Sequence, residues 1–318
     1  MNSSTKLAHS VIRDLIEVGV SNFVISPGSR NAPLLIALNE ASEKQLIDLH
    51  VKIDERGAAF FALGIAKASN NYAAVICTSG TAAANFHPAA LEALHSNSKL
   101  LIITADRPER LRKTGSNQTT NQVGIYSLIK THDLATTIQI KPLLNGGPVH
   151  LNVQFDEPLL SNVKDSWLSG IKVTPAEYKN NVTGKLEVTT GVLVIGHDRA
   201  GYEVSEVNEF ASKLNWPVIA EDPISFPQAI AHTPLFLSDE KIREKLAPES
   251  IIVIGRTTLS RSTNNFIQLA KKVIVIDPRI SSIDDKRQAD LLLTNLPSEV
   301  TSSSSDSQTF QSANNNNN

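Results

Sequence analysis

Short apolar runs alternate with amphipathic stretches along most of the chain. Several of these runs are continuous Val, Ile and Leu, which is typical of strands that are covered on both faces of a sheet. The amphipathic stretches between them predict helices that pack on such a sheet. This order predicts an α/β fold with two doubly wound, mostly parallel sheets.

The pattern also predicts where these elements lie. The predicted strands of the first sheet are Asn22–Ser26, Leu49–Asp54, Ala73–Ser79, Lys99–Ala105, Thr136–Ile140 and Val149–Phe155. Those of the second sheet are Val192–Gly196, Pro217–Glu221, Ile251–Gly255, Lys272–Asp277 and Asp290–Thr294. The predicted helices include Thr5–Val18, Asn31–Ala41, Thr81–His95, Gly201–Leu214 and Ser260–Leu269.

Two segments lack this periodicity and divide the chain. Residues 166–188 are polar and contain Pro175, which favours a linker between a first domain at residues 1–165 and a central domain at residues 189–297. The Ser- and Asn-rich residues 298–318 have too few apolar side chains to offset the entropy of ordering. We therefore predict a disordered C-terminal tail.

Composition excludes several classes of function. The 318 residues carry a net charge of −2 with dispersed basic residues, so there is no footprint for nucleic acid or a membrane surface. The single cysteine, Cys77, lies in an apolar strand and is expected to be a reduced core residue. No stretch has the length of a membrane span, and the first residues lack the apolar segment of a signal peptide. We expect a cytoplasmic protein.

Glu55 is the strongest candidate for chemistry. It follows a predicted strand, at the end where open α/β sheets place ligands. The helix that follows is apolar on nearly every face across Gly57–Ala66, so it should be covered all round by the domain or by another subunit. At such a buried junction a carboxylate resists ionising and becomes a candidate acid or base. The alternative is an acidic residue that only complements the helix dipole.

Three other predicted strand ends carry polar residues of the kind that bind ligands. Gly28 permits a tight turn before free helix amides, and Arg30 offers a planar fork for an anion. Residues 78–81 end the third strand, and Arg107 ends the fourth before the amide-rich residues 115–122. Each has an ordinary alternative, namely a capped turn or a solvated basic loop. Their convergence at one sheet edge favours a binding site.

Other chemistries lack their motifs. The chain has no G-x-G-x-x-G after the first strand, no G-x-x-x-x-G-K-[ST] and no G-x-S-x-G. Its eight histidines show no metal-ligand spacing, and a single cysteine cannot form a pair.

Taken together, the strand-end motifs resemble thiamine-diphosphate-dependent enzymes. The motifs, in order, are SPGSRNAPL, DERGAAFFALGIAK, TSGTAAANFHPA, LIITADRPERL, GSNQTTNQVGIY and GPVHLNVQFDEPL. Within that family they are most similar to the 2-succinyl-5-enolpyruvyl-6-hydroxy-3-cyclohexene-1-carboxylate synthases of menaquinone or phylloquinone biosynthesis. The resemblance is strong over residues 7–160 and looser in the second half.

The resemblance implies a reaction and a role for each candidate residue. Such a synthase decarboxylates 2-oxoglutarate on thiamine diphosphate and adds the succinyl semialdehyde carbanion to isochorismate. Glu55 would be the catalytic glutamate that hydrogen-bonds N1′ of the cofactor's aminopyrimidine. Residues that would contact the cofactor are Glu55, Pro27, Thr78, Ser79 and Gly80. Residues that would contact the carboxylated substrates are Ser29, Arg30, Arg107, Asn117 and Gln118, with Arg261 from the central domain.

One departure from the family affects the expected activity. Its members continue into a third domain, where a Gly-Asp-Gly…Asn stretch binds magnesium or manganese and the cofactor's diphosphate. This chain has no Gly-Asp-Gly, so we predict no metal ligands in it and little activity for the chain alone. The active site of the family lies between two subunits, which implies a homodimer or higher oligomer, or a complementing C-terminal fragment.

Two alternatives stay open at the level of sequence. The chain could be part of another thiamine-diphosphate decarboxylase or acetolactate-type enzyme, because the glutamate and the strand order are shared. It could also be a non-catalytic α/β module that associates through its apolar helix. The Arg30 and Arg107 pair, which suits carboxylated substrates, favours the synthase.

Overall fold

The computed structural model describes residues 2–144, 146–161, 166–174, 183–256, 260–277 and 289–303, with residues 310 and 312. The chain forms two compact units, Met1–Tyr178 and Lys179–Asn318. A parallel sheet lies at the centre of each unit, which confirms the predicted α/β class with two doubly wound sheets.

The observed elements follow the predicted order. The helices of the first unit are α1 (Ser3–Glu17), α2 (Ala32–Glu43), α3 (Glu55–Ser69), α4 (Thr81–Asn85) and α5 (His87–His95). Its strands are β1 (Asn22–Ile25), β2 (Asp48–Val51), β3 (Ala73–Cys77), β4 (Leu100–Asp106), β5 (Thr131–Leu134) and β6 (Val149–Gln154). The helices of the second unit are α6 (Val204–Leu214), α7 (Thr233–Phe236), α8 (Glu240–Lys245) and α9 (Arg261–Gln268). Its strands are β7 (Thr183–Glu187), β8 (Gly191–Ile195), β9 (Val218–Ala220), β10 (Ser250–Ile254), β11 (Lys272–Ile276), β12 (Leu291–Leu293) and β13 (Pro297–Thr301).

The first sheet has the strand order β2-β1-β3-β4-β6-β5, with every neighbouring pair parallel. The chain moves from β1 to β2 on one side and then crosses to β3 on the other side. In sheets of this kind ligands bind outside the carboxyl ends of the strands, at the point where the direction reverses. Here that point lies between β1 and β3.

Both faces of this sheet are covered, as the continuous apolar strands require. The side chains of successive residues in β1 point to opposite faces of the sheet, because side chains alternate along a strand. Ile25 packs in a core with Leu15 and Leu38, whereas Val24 packs in a second core with Ala62. The two layers hold the strand ends in fixed positions.

The second unit has a five-stranded parallel sheet with the order β12-β11-β10-β8-β9. A separate parallel pair joins β13 to β7, and neither strand is predicted by the pattern. β7 falls in the predicted linker and β13 at the start of the predicted tail. Both are short, and they are placed by tertiary packing of Leu186 and Val300 against the core of this unit. Residues 175–182 and most of residues 304–318 lie outside the described part, as does the predicted disorder there.

Two predicted elements of the first unit are wrong in detail. The fifth strand lies at Thr131–Leu134 and pairs with β6, whereas Thr136–Ile140 is not a strand. The apolar residues of this segment suggested a strand, but Ile140 lies in a loop and packs into the core. The predicted helix at Thr81–His95 is divided at Phe86, because Pro88 lies in the first turn of α5, where a missing N–H is tolerated.

Helix α3 is covered on one face within the described residues, not all round. Ala58, Ala62 and Ala66 are buried, but Phe60 is 45% exposed and Phe61 is 39% exposed. The apolar sequence of this helix therefore leaves an aromatic surface open in the single chain. No helix among the described residues combines the length and apolar composition needed to cross a bilayer.

Candidate active site

Four adjacent strands place the predicted residues at one edge of the first sheet. In the order β2, β1, β3 and β4, their carboxyl ends lead to Glu55, Arg30, the residues 78–80 and Arg107. The sequence separates these residues by up to about eighty positions, and the parallel topology brings them to the same edge.

Glu55 is the first residue of α3 and is half-buried, less enclosed than the sequence predicts. The Oδ1 atom of Asp54 accepts a hydrogen bond from the Gly57 amide at 2.6 Å, so this cap fixes the start of the helix. Glu55 itself makes no hydrogen bond or ion pair with the described residues. Burial raises the pKa of the Cys77 thiol well above its ordinary value, and the charge of Glu55 adds to the rise. Among the described residues the carboxylate thus has no hydrogen-bond or ion-pair partner, and its charge acts on Cys77 at the end of β3.

The turn after β1 packs directly against the end of β3. A Cβ atom on Gly28 would lie 2.5 Å from Cβ of Thr78, so only glycine allows this approach. Nδ2 of the buried Asn31 donates to the Ser26 carbonyl at 2.9 Å and closes the turn. Pro27 and Ser29 lie on the exposed side. These contacts bring two predicted cofactor-binding segments together at the switch point.

The loop that carries Gln118 is tied to the end of β3. Ser79 Oγ donates to the Gln118 carbonyl at 2.9 Å, and Gln118 Nε2 donates to the Ser79 carbonyl at 3.1 Å. Gln118 has a φ of +53°, a left-handed conformation that few residues other than glycine adopt. Asn117 is exposed, and its side chain makes no hydrogen bond within the described residues. The structure therefore brings Gln118, but not Asn117, into the bonded cluster.

Two arginines approach this cluster. Nη1 of Arg107 donates to Ser79 Oγ at 3.1 Å and to the Gln118 carbonyl at 3.0 Å. Nη1 of Arg30 donates to the Phe155 carbonyl at 3.0 Å and lies 3.2 Å from Oε1 of Glu157. The pKa of Arg107 is lowered, first by burial and then by the positive charge of Arg30. Two like charges held near each other favour an anion between them.

Arg261 lies in the second unit, apart in sequence from the other candidates. It is the exposed first residue of α9, and the Ser260 hydroxyl caps this helix by accepting from the Thr263 amide at 3.3 Å. Its predicted contact with a substrate stays a prediction.

A buried polar network behind the site was missed by the sequence analysis. Asn152 on β6 accepts hydrogen bonds at Oδ1 from Thr104 at 2.8 Å and from Gln122 at 2.9 Å. His150 lies two residues earlier on the same strand and contacts Thr104 at 2.8 Å through Nε2. The sequence held part of the signal, because His150 and Asn152 are polar residues inside a predicted core strand and need partners if buried, but it did not identify those partners.

Charged groups complete the network on its outer side. Arg112 donates to both carboxylate oxygens of Asp133, at 2.9 and 2.8 Å, and lies 2.9 Å from Asp106. Burial alone would raise the pKa of Asp133, but the bonds from Arg112 and Asn152 outweigh it and the pKa is lowered. Burial lowers the pKa of His150 to about 3, so this ring is neutral.

The residues present fit the pyrimidine half of thiamine diphosphate. A ring nitrogen needs a carboxylate with free hydrogen-bonding capacity, and the unpaired, half-buried Glu55 supplies one. Among the described residues there is no group of three or more His, Cys, Asp and Glu side chains that could hold a metal ion. The arrangement can bind a polar ring at Glu55 and anions at the two arginines.

Comparison with known proteins shows which proteins the chain resembles. Residues 5–125 match the family described as thiamine pyrophosphate enzyme, N-terminal TPP binding domain. Proteins named 2-succinyl-5-enolpyruvyl-6-hydroxy-3-cyclohexene-1-carboxylate synthase are similar over most of the chain. The one from Nocardioides sp. is 40% identical over 83% of this chain and 48% of its own length. The one from Thermobifida fusca is 32% identical over 91% of this chain and 57% of its own length.

The chain thus spans about half the length of the curated relatives that it matches. The family resemblance predicted from the strand-end motifs is confirmed. Over this span the chain is similar to proteins with this synthase name, and its residues 5–125 match the N-terminal TPP binding domain of thiamine pyrophosphate enzymes.

Proposed function

We propose that this chain forms the pyrimidine-binding and central domains of a synthase that joins 2-oxoglutarate, after loss of carbon dioxide, to isochorismate. The observation that carries the proposal is that Glu55 has no partner among the described residues and lies at the same sheet edge as Arg30 and Arg107. When bound, thiamine diphosphate would supply a nucleophilic carbon for the keto group of the substrate and an acceptor for the electron pair that decarboxylation leaves. The chain's own residues have to hold the ring, move its proton and bind the carboxylates.

Glu55 is proposed to hold a proton at the pyrimidine nitrogen. Glu55 is the first residue of α3, and its charge adds to the rise in the pKa of Cys77, the last residue of β3, which is caused first by burial. A half-buried site strengthens a hydrogen bond to the ring, since water competes less there. The polar backbone at Ser79 and Gly80 and the turn at Pro27 are proposed to contact the same ring.

Arg30 and Arg107 are proposed to bind the carboxylates of the two substrates. Both guanidinium groups keep donors beyond those used in their protein contacts, because each contributes only Nη1 to the bonds described above. Ser29, Asn117 and Gln118 lie on the exposed side of the same edge, and we assign them to the substrates as well.

The experiment is proton exchange at the thiazolium carbon of thiamine diphosphate, followed by NMR with the cofactor and Mg²⁺ in excess over the chain. We expect the chain, combined with a complementing C-terminal fragment that binds the diphosphate, to accelerate exchange, and Glu55→Gln to reduce that acceleration at least about 100-fold. Arg56→Gln, the exposed neighbour, is the control and should exchange like the parent. Equal exchange in the parent and Glu55→Gln would leave only the alternative of a non-catalytic association module.

Substrate class is tested separately by calorimetric titration with 2-oxoglutarate and with pyruvate. Arg30→Ala and Arg107→Ala should each weaken binding of 2-oxoglutarate by roughly tenfold or more, since a charge-assisted hydrogen bond is lost. Arg110→Ala removes an exposed arginine from the same region and should have little effect. A preference for pyruvate would favour an acetolactate-type enzyme.

We also propose that the open face of α3 is covered by a second copy of the chain or by a complementing fragment. Phe60, Phe61 and Ile53 are 45%, 39% and 83% exposed, an unusual concentration of large apolar side chains. Sedimentation velocity of the parent and of Phe60→Asp, alone and with a complementing fragment, tests this. Association that Phe60→Asp leaves unchanged would contradict it.

A further inference from the structure

The side-chain amide of Asn152 uses its full hydrogen-bonding capacity. Its Oδ1 accepts from Thr104 Oγ1 and Gln122 Nε2, while its Nδ2 donates to Asp106 Oδ2 at 3.0 Å and to Asp133 Oδ1 at 2.9 Å. Asn152 is completely buried. A buried amide with two acceptors on one side and two donors on the other has one possible orientation.

Both sides of the network fix that orientation. The side chains of Asp106 and Asp133 pair with Arg112, and their oxygens Oδ2 and Oδ1 accept from Asn152 Nδ2. On the other side, the single hydroxyl proton of Thr104 goes to Asn152, so the His150 Nε2–H must donate to Thr104. Nδ1 of His150 then accepts from Thr131 at 3.0 Å. Every proton in the chain of bonds has one assignment.

Gln122 connects Asn152 to Gly80 in the candidate site by hydrogen bonds. It is completely buried, and its Oε1 accepts from the Gly80 amide at 2.9 Å. Its Nε2 donates to Asn152 Oδ1 and to the Ala105 carbonyl at 3.2 Å. A reversed Gln122 amide would point an NH₂ group at the Gly80 N–H. Asn152 opposes that reversal because its Oδ1 requires a donor.

The Ser79–Gly80 turn connects Gln122 to Arg107. Gly80 is held by Gln122, and the adjacent Ser79 accepts from Arg107 Nη1 while donating to the Gln118 carbonyl. We propose that Asn152 is a positioning residue, which fixes Arg107 for a substrate carboxylate by way of Gln122 and this turn. The statement about the carboxylate rests on the proposed function, whereas the order of the Arg107 side chain does not.

The test measures Arg107 directly in the full 318-residue chain labelled with ¹⁵N-arginine. The Nε–H resonances of Arg107 and Arg112 are assigned from Arg→Lys variants, and their heteronuclear NOE values report fast motion. We expect Asn152→Leu to mobilise Arg107 while Arg112 keeps the NOE expected from its pairs with Asp106 and Asp133. Gln154→Leu is the matched control, because Gln154 lies on the same face of β6 and donates to Asp133 at 2.9 Å. It has no bond to Gln122, so Arg107 should stay ordered.

A second variant covers the case in which Asn152→Leu does not fold. Gln122→Met removes the hydrogen bonds that connect Asn152 to Gly80. It leaves the bonds from Asn152 to Asp106 and Asp133 in place. It should mobilise Arg107 as well. An Arg107 resonance that is as ordered as in the parent, in either folded variant, would overturn the inference.

Titration with 2-oxoglutarate then separates this inference from the proposed function. We expect the folded variant to bind 2-oxoglutarate roughly tenfold more weakly than the parent. If Arg107 becomes mobile but no chain binds 2-oxoglutarate, the positioning role stands and the proposed substrate is wrong. If the parent binds and the variant binds equally well with Arg107 ordered, the substrate stands and the positioning role is wrong.

Discussion

Gly80 has a φ of +79°, and a Cβ atom there would lie 2.8 Å from Cγ of Gln118. Both conditions penalise any other residue, because the left-handed conformation is strained and the space is already filled. We expect Gly80→Ala to lower the free energy of unfolding by about 1–3 kcal/mol. Urea denaturation followed by circular dichroism measures the change.

Gly64 provides the contrasting case for that measurement. It lies inside α3, and a Cβ atom there would meet no heavy atom within 4 Å. Gly64→Ala should stabilise the chain by about 0.5–1 kcal/mol, because alanine loses less backbone entropy in a helix. Equal effects at the two glycines would show that the turn at Gly80 is not tightly held.

His150 should make stability depend on pH. Its pKa is about 3 in the folded chain, because of burial, and 6.5 is the ordinary value expected after unfolding. Below pH 6.5 the unfolded chain gains a proton at this ring that the folded chain does not. The stabilisation is therefore complete above pH 6.5 and is lost as the pH falls toward 3, by up to about 1.4 kcal/mol per pH unit.

The pH dependence is measured as the free energy of unfolding between pH 7 and pH 4. His150→Gln should lower the slope of this free energy against pH by up to about 1.4 kcal/mol per pH unit, the value for one proton. This holds whatever the substitution does to stability at neutral pH. His95→Gln, on the exposed side of α5, is the control and should leave the slope as in the parent. If the His150→Gln variant has the same slope as the parent, the pH dependence of stability comes from other groups.

At the scale of elements, helix α3 depends on its cap. Asp54 accepts from the Gly57 amide at 2.6 Å and adds a negative charge at the positive end of the helix dipole. We expect Asp54→Ala to cost about 1 kcal/mol of stability, whereas Asp54→Asn should retain most of the cap. Since Glu55 is the next residue, fraying of this turn should also reduce proton exchange in the assay proposed above. Hydrogen exchange at the Ala58 amide measures the fraying.

The strands show what a sequence can and cannot predict. β1, β3, β4 and β6 follow from their apolar runs, because burial on both faces leaves a local signal. β7 and β13 have no such signal. They exist because two short segments that are distant in sequence pair with each other, and this pairing depends on the packing of Leu186 and Val300.

At the scale of the whole molecule, the candidate site was partly predictable for the same reason. Parallel topology follows from strand–helix alternation, and topology alone brings Glu55, Arg30 and Arg107 to one edge. Burial of each side chain does not follow from alternation. Asn117 and Gln118 are neighbours in sequence, yet only Gln118 bonds to Ser79. The network through Asn152 required the register of β4 against β6, which pairs Thr104 with Asn152.

The division into two units leads to the last prediction. The first unit has its own cores on both faces of its sheet, and all candidate residues except Arg261 lie within it. A domain with its own core can fold alone. We therefore expect a fragment of residues 1–178 to unfold cooperatively and to bind 2-oxoglutarate within about threefold of the full chain, because Arg30 and Arg107 and their described contacts all lie in this unit. Calorimetry and titration of both chains measure this. Weaker binding by the fragment, reproduced by Arg261→Ala in the full chain, would instead assign part of the anion site to the second unit.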